Sequence, residues 1–519
     1  MNPQDTEKIE WSILIVIIIG TFMAILDSSI VNVALPKMMV IFNVTTDEIQ
    51  WILTAYMLTL GVVMPLSGYL GDTYGYKRIY MIALGTFIVG SFLCGLAWNV
   101  NSMIAARIVQ ALGGGIMQPL GMAIIYQSFP RSKIGMVLGF WGIAAMAAPA
   151  IGPTLGGYLV DYVNWRLIFF INIPIGLINF FLAGIILRET QLIKGKHLDY
   201  MGVFTSVVGL FCLLLALSEG TKEGWSSPYI VSLFAISAVT LVGFVFNELN
   251  HPEPILDLRV FKNTVFSISI IIGSFLAIGM FGAIFLLPLL LQNVFGQTAM
   301  KTGLIMFPGA IASGLMMPIS GRIFDKYGAR GIASLGLILV IWTGFVMSGF
   351  TESTAFSAIT WWIVIRGLGM GFSMMSIATA GMNEVPVAMV GRASALSNVV
   401  RQVAASFGIA ILTTILQNRQ VYHFANLAQS VNMSANEVLA IQGQLQSMAT
   451  SLGIGAAGIP TLQYTLIGSR LMKLSLNYAI GDCLIVASVF CVAAVALIPF
   501  LRQTRPHMGA APGAAVQME

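Results

Sequence analysis

Of the 21 acidic residues, Asp27 is the one set well inside an apolar run; Asp199, Glu219 and Asp482 fall at the ends of such runs. A charged side chain at membrane depth costs roughly 2.5 to 3.5 kcal/mol on insertion scales and marks a functional site by default. Arg107, Arg366 and Arg401 also lie within apolar runs. Asp27 comes about eight residues before its run ends at Leu35, and Arg107 about five residues after its own run begins, so the two share one half of the apolar layer and can pair. Burial raises the proton affinity of a carboxylic acid and a nearby guanidinium lowers it. A movement that changes the hydration of Asp27, or its distance from Arg107, would take up a proton on one face and release it on the other. If cargo and proton exclude each other, the result is antiport. The alternative is a structural ion pair that only fixes packing.

Other chemistry finds no support in residue spacing. His197, His251, His423 and His507 lie in polar segments or loops, with no metal-ligand spacing and no nucleophile–base set around them. Cys94, Cys212, Cys483 and Cys491 all lie in apolar runs, where a thiol behaves as a small hydrophobe. Gly113-Gly114-Gly115 lacks the lysine that follows a phosphate loop. The reading is a chain that is not an enzyme and has no metal or cofactor. Without a Walker loop, its energy source is a proton gradient and not ATP.

The elements that position Asp27 are membrane helices. The chain has 519 residues, 57% apolar and only 9% charged, against roughly 25% charged in soluble domains. Its net charge of +5 is small for its length and gives no reason to expect nucleic acid as a partner. A helix crosses the hydrocarbon layer with about 20 apolar residues, and that window yields fourteen spans, the first over 12–35 and the last over 479–501. The run from Trp11 has no small-residue cleavage site and reads as a span, not a removable signal peptide. With the N-terminus inside, 16 Lys and Arg fall on the inner side and 7 on the outer, which favours two cytoplasmic termini.

The spans are duplicated. Gly68-Tyr-Leu-Gly-Asp72-Thr-Tyr-Gly75-Tyr-Lys77-Arg78 and Gly321-Arg-Ile-Phe-Asp325-Lys-Tyr-Gly328-Ala-Arg330 lie 253 residues apart in corresponding short loops. Leu35-Pro36 ends the first span as Leu287-Pro288 ends the ninth, and Arg107 answers Arg366. Counting nine back from each proline gives Asp27 in one half and Gly279 in the other, so the acid is present once. Three units follow: a six-helix bundle over 1–190, two inserted helices over 191–262, and a second six-helix bundle over 263–519. Parallel repeats of this kind form transporters with the site between the halves.

On these motifs the sequence resembles the major facilitator superfamily, and within it the fourteen-span drug:proton antiporters of the EmrB/QacA type. The doubled loop is similar to the family's G-x-L-x-D-x-x-G-x-[RK]-[RK] signature. Further matching strings are Leu26-Asp27 to Leu35-Pro36, Trp51 to Tyr56, Arg107 to Gln110, Gly152-Pro153 with Gly156-Gly157, Trp165-Arg166 with Phe169 to Pro174, and Asn398 to Gln402. The resemblance implies an all-α membrane protein with the major facilitator fold. It implies proton coupling at Asp27 and Arg107. For cargo it points to Asp27, Asn32, Tyr56, Arg107, Gln110, Arg366, Asn398 and Gln402. For gating it points to Gly68, Asp72, Gly75, Lys77, Arg78, Asp325 and Arg330 as a latch, and to the Gly152, Pro153, Gly156 and Gly157 run that marks antiporters. The sequence departs from the pattern with Ala111 and Ala148 where glycines are usual, and with Tyr76 where a base is frequent, which would weaken the latch.

The expected activity is proton-driven export of lipophilic small molecules from the cytoplasmic (inner) membrane of a bacterial-type cell. The alternatives are a dedicated exporter of one metabolite, peptide or siderophore, and a receptor or scaffold that moves nothing. Three intramembrane arginines against one acid favour neutral or anionic cargo over multivalent cations, unless Arg366 and Arg401 serve backbone carbonyls instead. The stretch 417–478 reads as a long external loop, with Val438, Ile441, Leu445, Met448 and Leu452 on one helical stripe. It would cap the outer mouth, dock an adaptor of the membrane-fusion type, or be an inert excursion.

Overall fold

The computed structural model describes residues 3–130, 133–189, 198–386, 389–430 and 459–501. Among them there is no strand. In lipid, every backbone N–H and C=O must be satisfied inside its own segment, and a helix does this. The first bundle comprises α1 (Pro3–Phe42), α2 (Thr46–Val63), α3 (Leu66–Tyr74), α4 (Tyr76–Leu96), α5 (Val100–Ser128), α6 (Ile134–Tyr158), α7 (Leu167–Phe170) and α8 (Asn172–Ile186). Then come α9 (Tyr200–Glu223) and α10 (Pro228–Asn250). The remainder is α11 (Thr264–Leu289), α12 (Ala299–Tyr327), α13 (Ala329–Ser348), α14 (Phe356–Asn383), α15 (Val390–Ser430) and α16 (Ile459–Leu497). Helices α2 and α3 form one crossing bent by 53°, at Pro65, which has no N–H to donate and breaks the ladder. Counting that pair once, the described residues supply fourteen apolar crossings, and the chain is a multi-pass membrane protein.

Two expectations about helix ends are corrected. Pro36 does not end the first span, because α1 runs through it to Phe42; prolines are tolerated in membrane helices where local adjustments satisfy the freed carbonyl. The stretch 417–478 is not loop at its flanks, since α15 continues to Ser430 and α16 begins at Ile459. The stripe from Val438 to Leu452 lies outside the described residues.

Glycines set the close approaches. A Cβ on Gly113 would lie 2.3 Å from the Ala83 carbonyl oxygen, and one on Gly115 3.0 Å from that of Leu60, so α5 packs against α4 and α2 backbone to backbone. The second half repeats the device, a Cβ on Gly336 of α13 falling 2.6 Å from the Gly369 oxygen of α14. Helix α6 is wedged between the halves. It meets α1 through Gly152 and Gly156, against Ser29 and Ile30, and meets α12 where a Cβ on Gly139 would sit 2.5 Å from the Cα of Pro318. The α9–α10 hairpin touches both halves. Leu214 of α9 lies over Gly61 of α2, and Trp225, just beyond α9, donates through Nε1 to Thr414 Oγ1 of α15 at 3.0 Å.

Candidate functional site

Asp27 is fully buried in the first bundle, among α1, α4, α5 and α8. The register follows from the helices: α5 begins at an Asn99–Ser102 capping box, and Arg107 and Gln110, three residues apart, share one helix face. Arg107 donates through Nη1 to Asp27 Oδ2 in a short charge-assisted contact. The same Nη1 reaches Gln110 Oε1 at 2.7 Å. The second carboxylate oxygen, Oδ1, accepts from Gln110 Nε2 at 2.8 Å and from Asn172 Nδ2 at 3.0 Å. Ser91 Oγ takes a further bond from Gln110 Nε2 at 2.7 Å. The guanidinium lies over the Tyr56 ring, 3.8 Å from its centroid, and Tyr56 donates its hydroxyl to the Ala24 carbonyl at 3.4 Å. Arg107 Nη2 has no hydrogen-bond partner among the described residues. Both carboxylate oxygens are satisfied only while Arg107, Gln110 and Asn172 hold their places, so the charge on Asp27 and the positions of α5 and α8 depend on each other.

Of the residues assigned to cargo from sequence, Asp27, Tyr56, Arg107 and Gln110 meet at this point and the others do not. Asn32 is exposed and bonds to Ser28 of its own helix. Arg366 is buried in the second bundle, donating to the carbonyls of Gly279 at 3.1 Å and Val340 at 3.4 Å. Asn398 is buried on α15, bonding to Ser394 at 2.8 Å, and Gln402 faces α2 near Gly61. Asn172 and Ser91 belong to the network but carried no signal of their own; Asn172 is a lone amide in the string Phe169 to Pro174, and Ser91 one of many serines in apolar runs.

The paired loops close one end of the molecule. Asp72 does not bridge to Lys77 or Arg78 across its own turn. Its Oδ2 accepts from Arg392 Nε at 3.2 Å, from the start of α15 in the other half, and its Oδ1 accepts the Tyr76 hydroxyl at 2.8 Å. Lys77 Nζ donates instead to the Gly184 carbonyl at 2.7 Å, and the Lys77 and Arg78 amides donate to Glu189. Tyr76, where the family often has a base, thus shares the Asp72 carboxylate with Arg392 of the other half. Asp325 likewise turns away from Arg330, which bonds to the Leu501 carbonyl. Its carboxylate accepts from the Gly135 and Met136 amides at the start of α6, where helix geometry leaves free N–H groups for an anion. Each half thus offers one aspartate to the other. Gly75 (φ +94°) and Gly328 (φ +82°) hold the two loops in a conformation that side chains rarely adopt. Gly68 lets the backbone of Arg392 approach, since a Cβ there would lie 3.0 Å from its Cα. Gly157 stands at the far end of α6, across from Met300, and Pro153 lies beside Gly303 of α12.

This fold, with two helical halves around a bent α2–α3 crossing and reciprocal aspartate loops, defines a membrane transporter of repeated design. The chain belongs to the Major Facilitator Superfamily, whose family model matches residues 17–409. It is 38% identical over 508 residues to the "Uncharacterized MFS-type transporter YhcA" of Bacillus subtilis (strain 168), covering 97% of this chain and 95% of that protein. It is 30% identical over 461 residues to the "Multidrug export protein EmrB" of Escherichia coli (strain K12), covering 86% and 88%. Among solved structures it is similar in fold to the human organic anion transporter MFSD10 (TETRAN), with a TM-score of 0.62 at 10% identity, covering 96% of this chain and 100% of that one.

Proposed function

We propose that the protein is a proton-coupled exporter of lipophilic small molecules, working by alternating access with Asp27 as the coupling group. The observation that carries this reading is the fully buried Asp27 carboxylate with Arg107, Gln110 and Asn172 as its bonded neighbours. Protonation removes the charge that holds Arg107 and one of the acceptors that holds Asn172, so it loosens α5 and α8 from α1. Ser29, two residues after Asp27, packs against Gly152 of α6, and α6 in turn packs against α12. A rearrangement of α1 is therefore felt at the contact between the halves. The Arg107 guanidinium and a proton compete for the Asp27 carboxylate: cargo bound while this ion pair is formed disfavours the proton, and protonation breaks the pair and releases the cargo.

The gating residues act at the other end. The Asp72–Arg392 pair and the Asp325 contact with α6 hold the face with the paired loops shut, and both must part when that face opens. On the lysine and arginine distribution this face and both termini are cytoplasmic, in the inner membrane of a bacterial-type cell. The relationship to a multidrug export protein supports a broad lipophilic cargo, and Met-rich apolar walls re-pack around different ligands.

Reconstituted vesicles test the reading. With an imposed pH gradient, wild-type protein should drive uphill movement of a lipophilic dye with measurable proton counterflow, and Asp27→Asn should bind dye without counterflow. Full gradient-driven export by Asp27→Asn would overturn it.

A further inference from the structure

A second polar site lies in the other half of the molecule. A cavity of about 60 Å³ opens between α11, α14 and α15, with Arg401 and Ser397 on one side and Met280, Met374, Met382 and Ile270 among its apolar walls. Arg401 and Ser397 are four residues apart on α15, so they stand one above the other on the face that meets the cavity. Its other hydroxyls turn away: Ser269 and Ser274 each donate to a carbonyl of their own helix, at 2.7 and 2.9 Å.

The three intramembrane arginines differ in how their charge is met. Arg107 has the Asp27 carboxylate, and Arg366 has the two carbonyls of Gly279 and Val340. Among the described residues Arg401 has no carboxylate within ion-pair distance, and its hydrogen-bond partner is the amide oxygen of Asn398 on its own helix. A guanidinium carries five N–H donors in a planar fork, so most of them are unspent among the described residues, on a side chain that lines the cavity. Arg401 is half-buried against apolar walls, and a bound anion would supply the counter-charge that its guanidinium lacks there.

We propose that this cavity binds the carboxylate of a lipophilic organic acid, with Arg401 as a two-pronged donor and the Ser397 hydroxyl beside it. The volume suits a carboxyl group and its adjoining carbons. The flexible side chains of Met280, Met374 and Met382 move aside for the rest of the molecule. The site rests on the exporter reading above and adds lipophilic acids in their ionised form to its cargo.

The test uses purified protein and a matched pair of fluorescent probes, pyrenebutyrate and its methyl ester, which differ in charge at nearly constant apolar bulk. Wild-type protein should bind the acid at least tenfold more tightly than the ester. In Arg401→Gln the ratio should fall to about one, and in Arg401→Lys it should be intermediate, because an ammonium keeps the charge and loses the fork. Ser397→Ala should reduce the ratio severalfold with Arg401 intact, which covers the case in which the Arg401 variants fail to fold. No preference for the acid in wild-type protein, or an undiminished preference in folded Arg401→Gln, overturns the proposal. The exporter reading has its own readout, gradient-driven transport of the same two probes in reconstituted vesicles. Gradient-driven export of the ester without acid preference leaves that reading standing and sinks this site, whereas an Arg401-dependent preference without gradient-driven export does the reverse.

Discussion

Arg366 donates to the Gly279 carbonyl at 3.1 Å, in the place where Arg107 of the first half meets the Asp27 carboxylate. The two pairs occupy corresponding positions of the duplicated halves, and both bring an arginine from the fourth helix of a half onto its first. What differs is the partner. A backbone carbonyl cannot take up a proton in this range, so the second pair is fixed where the first can be switched.

Arg107→Gln and Arg366→Gln should therefore fail in different ways. Arg366→Gln leaves two buried carbonyls short of a donor, a loss of about 1 to 3 kcal/mol, and should lower thermal stability while the ratio of protons to cargo is kept. Arg107→Gln should abolish proton counterflow even in preparations whose melting temperature is restored by lipid. Thermal unfolding and vesicle proton flux, measured on the same samples, separate the two.

The latch prediction concerns Asp72 and Arg392. Removing either should reduce transport about tenfold, since it breaks a largely buried charge pair between the halves. Cargo binding should fall by less. The double exchange Asp72→Arg with Arg392→Asp should recover part of the rate. Equal loss of binding and transport in the single variants, with no recovery in the double, would remove the gating role.

Closure at the loop face depends on Gly321, where an added Cβ would lie 2.1 Å from the Gly135 carbonyl oxygen. Gly321→Val should hold the halves apart at this end. A cysteine placed at Met136 in α6 should then label with a membrane-impermeant maleimide from the loop face several times faster than in the parent. Unchanged labelling would mean that α6 and α12 close by some other contact.

The inserted hairpin offers a contrast. Lys222 of α9 and Asp47 of α2 pair at 3.1 Å, but their side chains are 40% and 64% exposed, and such pairs contribute little. Lys222→Met should change export by less than about twofold. Trp225→Ala, which loses a stacked Phe234 and the bond to Thr414, should disturb the hairpin's seat on α15 more.

Much of this architecture was legible before any coordinates. Apolar runs of span length can do little but form helices, and two loops with nearly identical text announce the repeat. Asp27 and Arg107 were legible as a pair because each is a rare charge and their depths match. Asn172 and Ser91 were not, since an amide or hydroxyl in an apolar run carries little cost and is common. The partner of Asp72 was missed for a different reason: Lys77 and Arg78 lie close in sequence, but the turn at Gly75 points them back to Gly184 and Glu189, and Arg392 arrives from 320 residues away. Helix ends were overrun at Pro36 and beyond 417 because hydropathy marks where lipid ends and not where hydrogen-bonded turns end.

The coupling role of Asp27 is tested most directly by counting protons at the moment cargo binds. Purified protein in weakly buffered solution, mixed with a saturating lipophilic ligand of no titratable group, should release up to about half a proton per molecule at a pH where export is half-maximal, when the single site is half-occupied, and Asp27→Asn should bind the same ligand and release none. Release that persists undiminished in Asp27→Asn, or its absence from wild-type protein that binds and exports, would contradict the role assigned to this carboxylate.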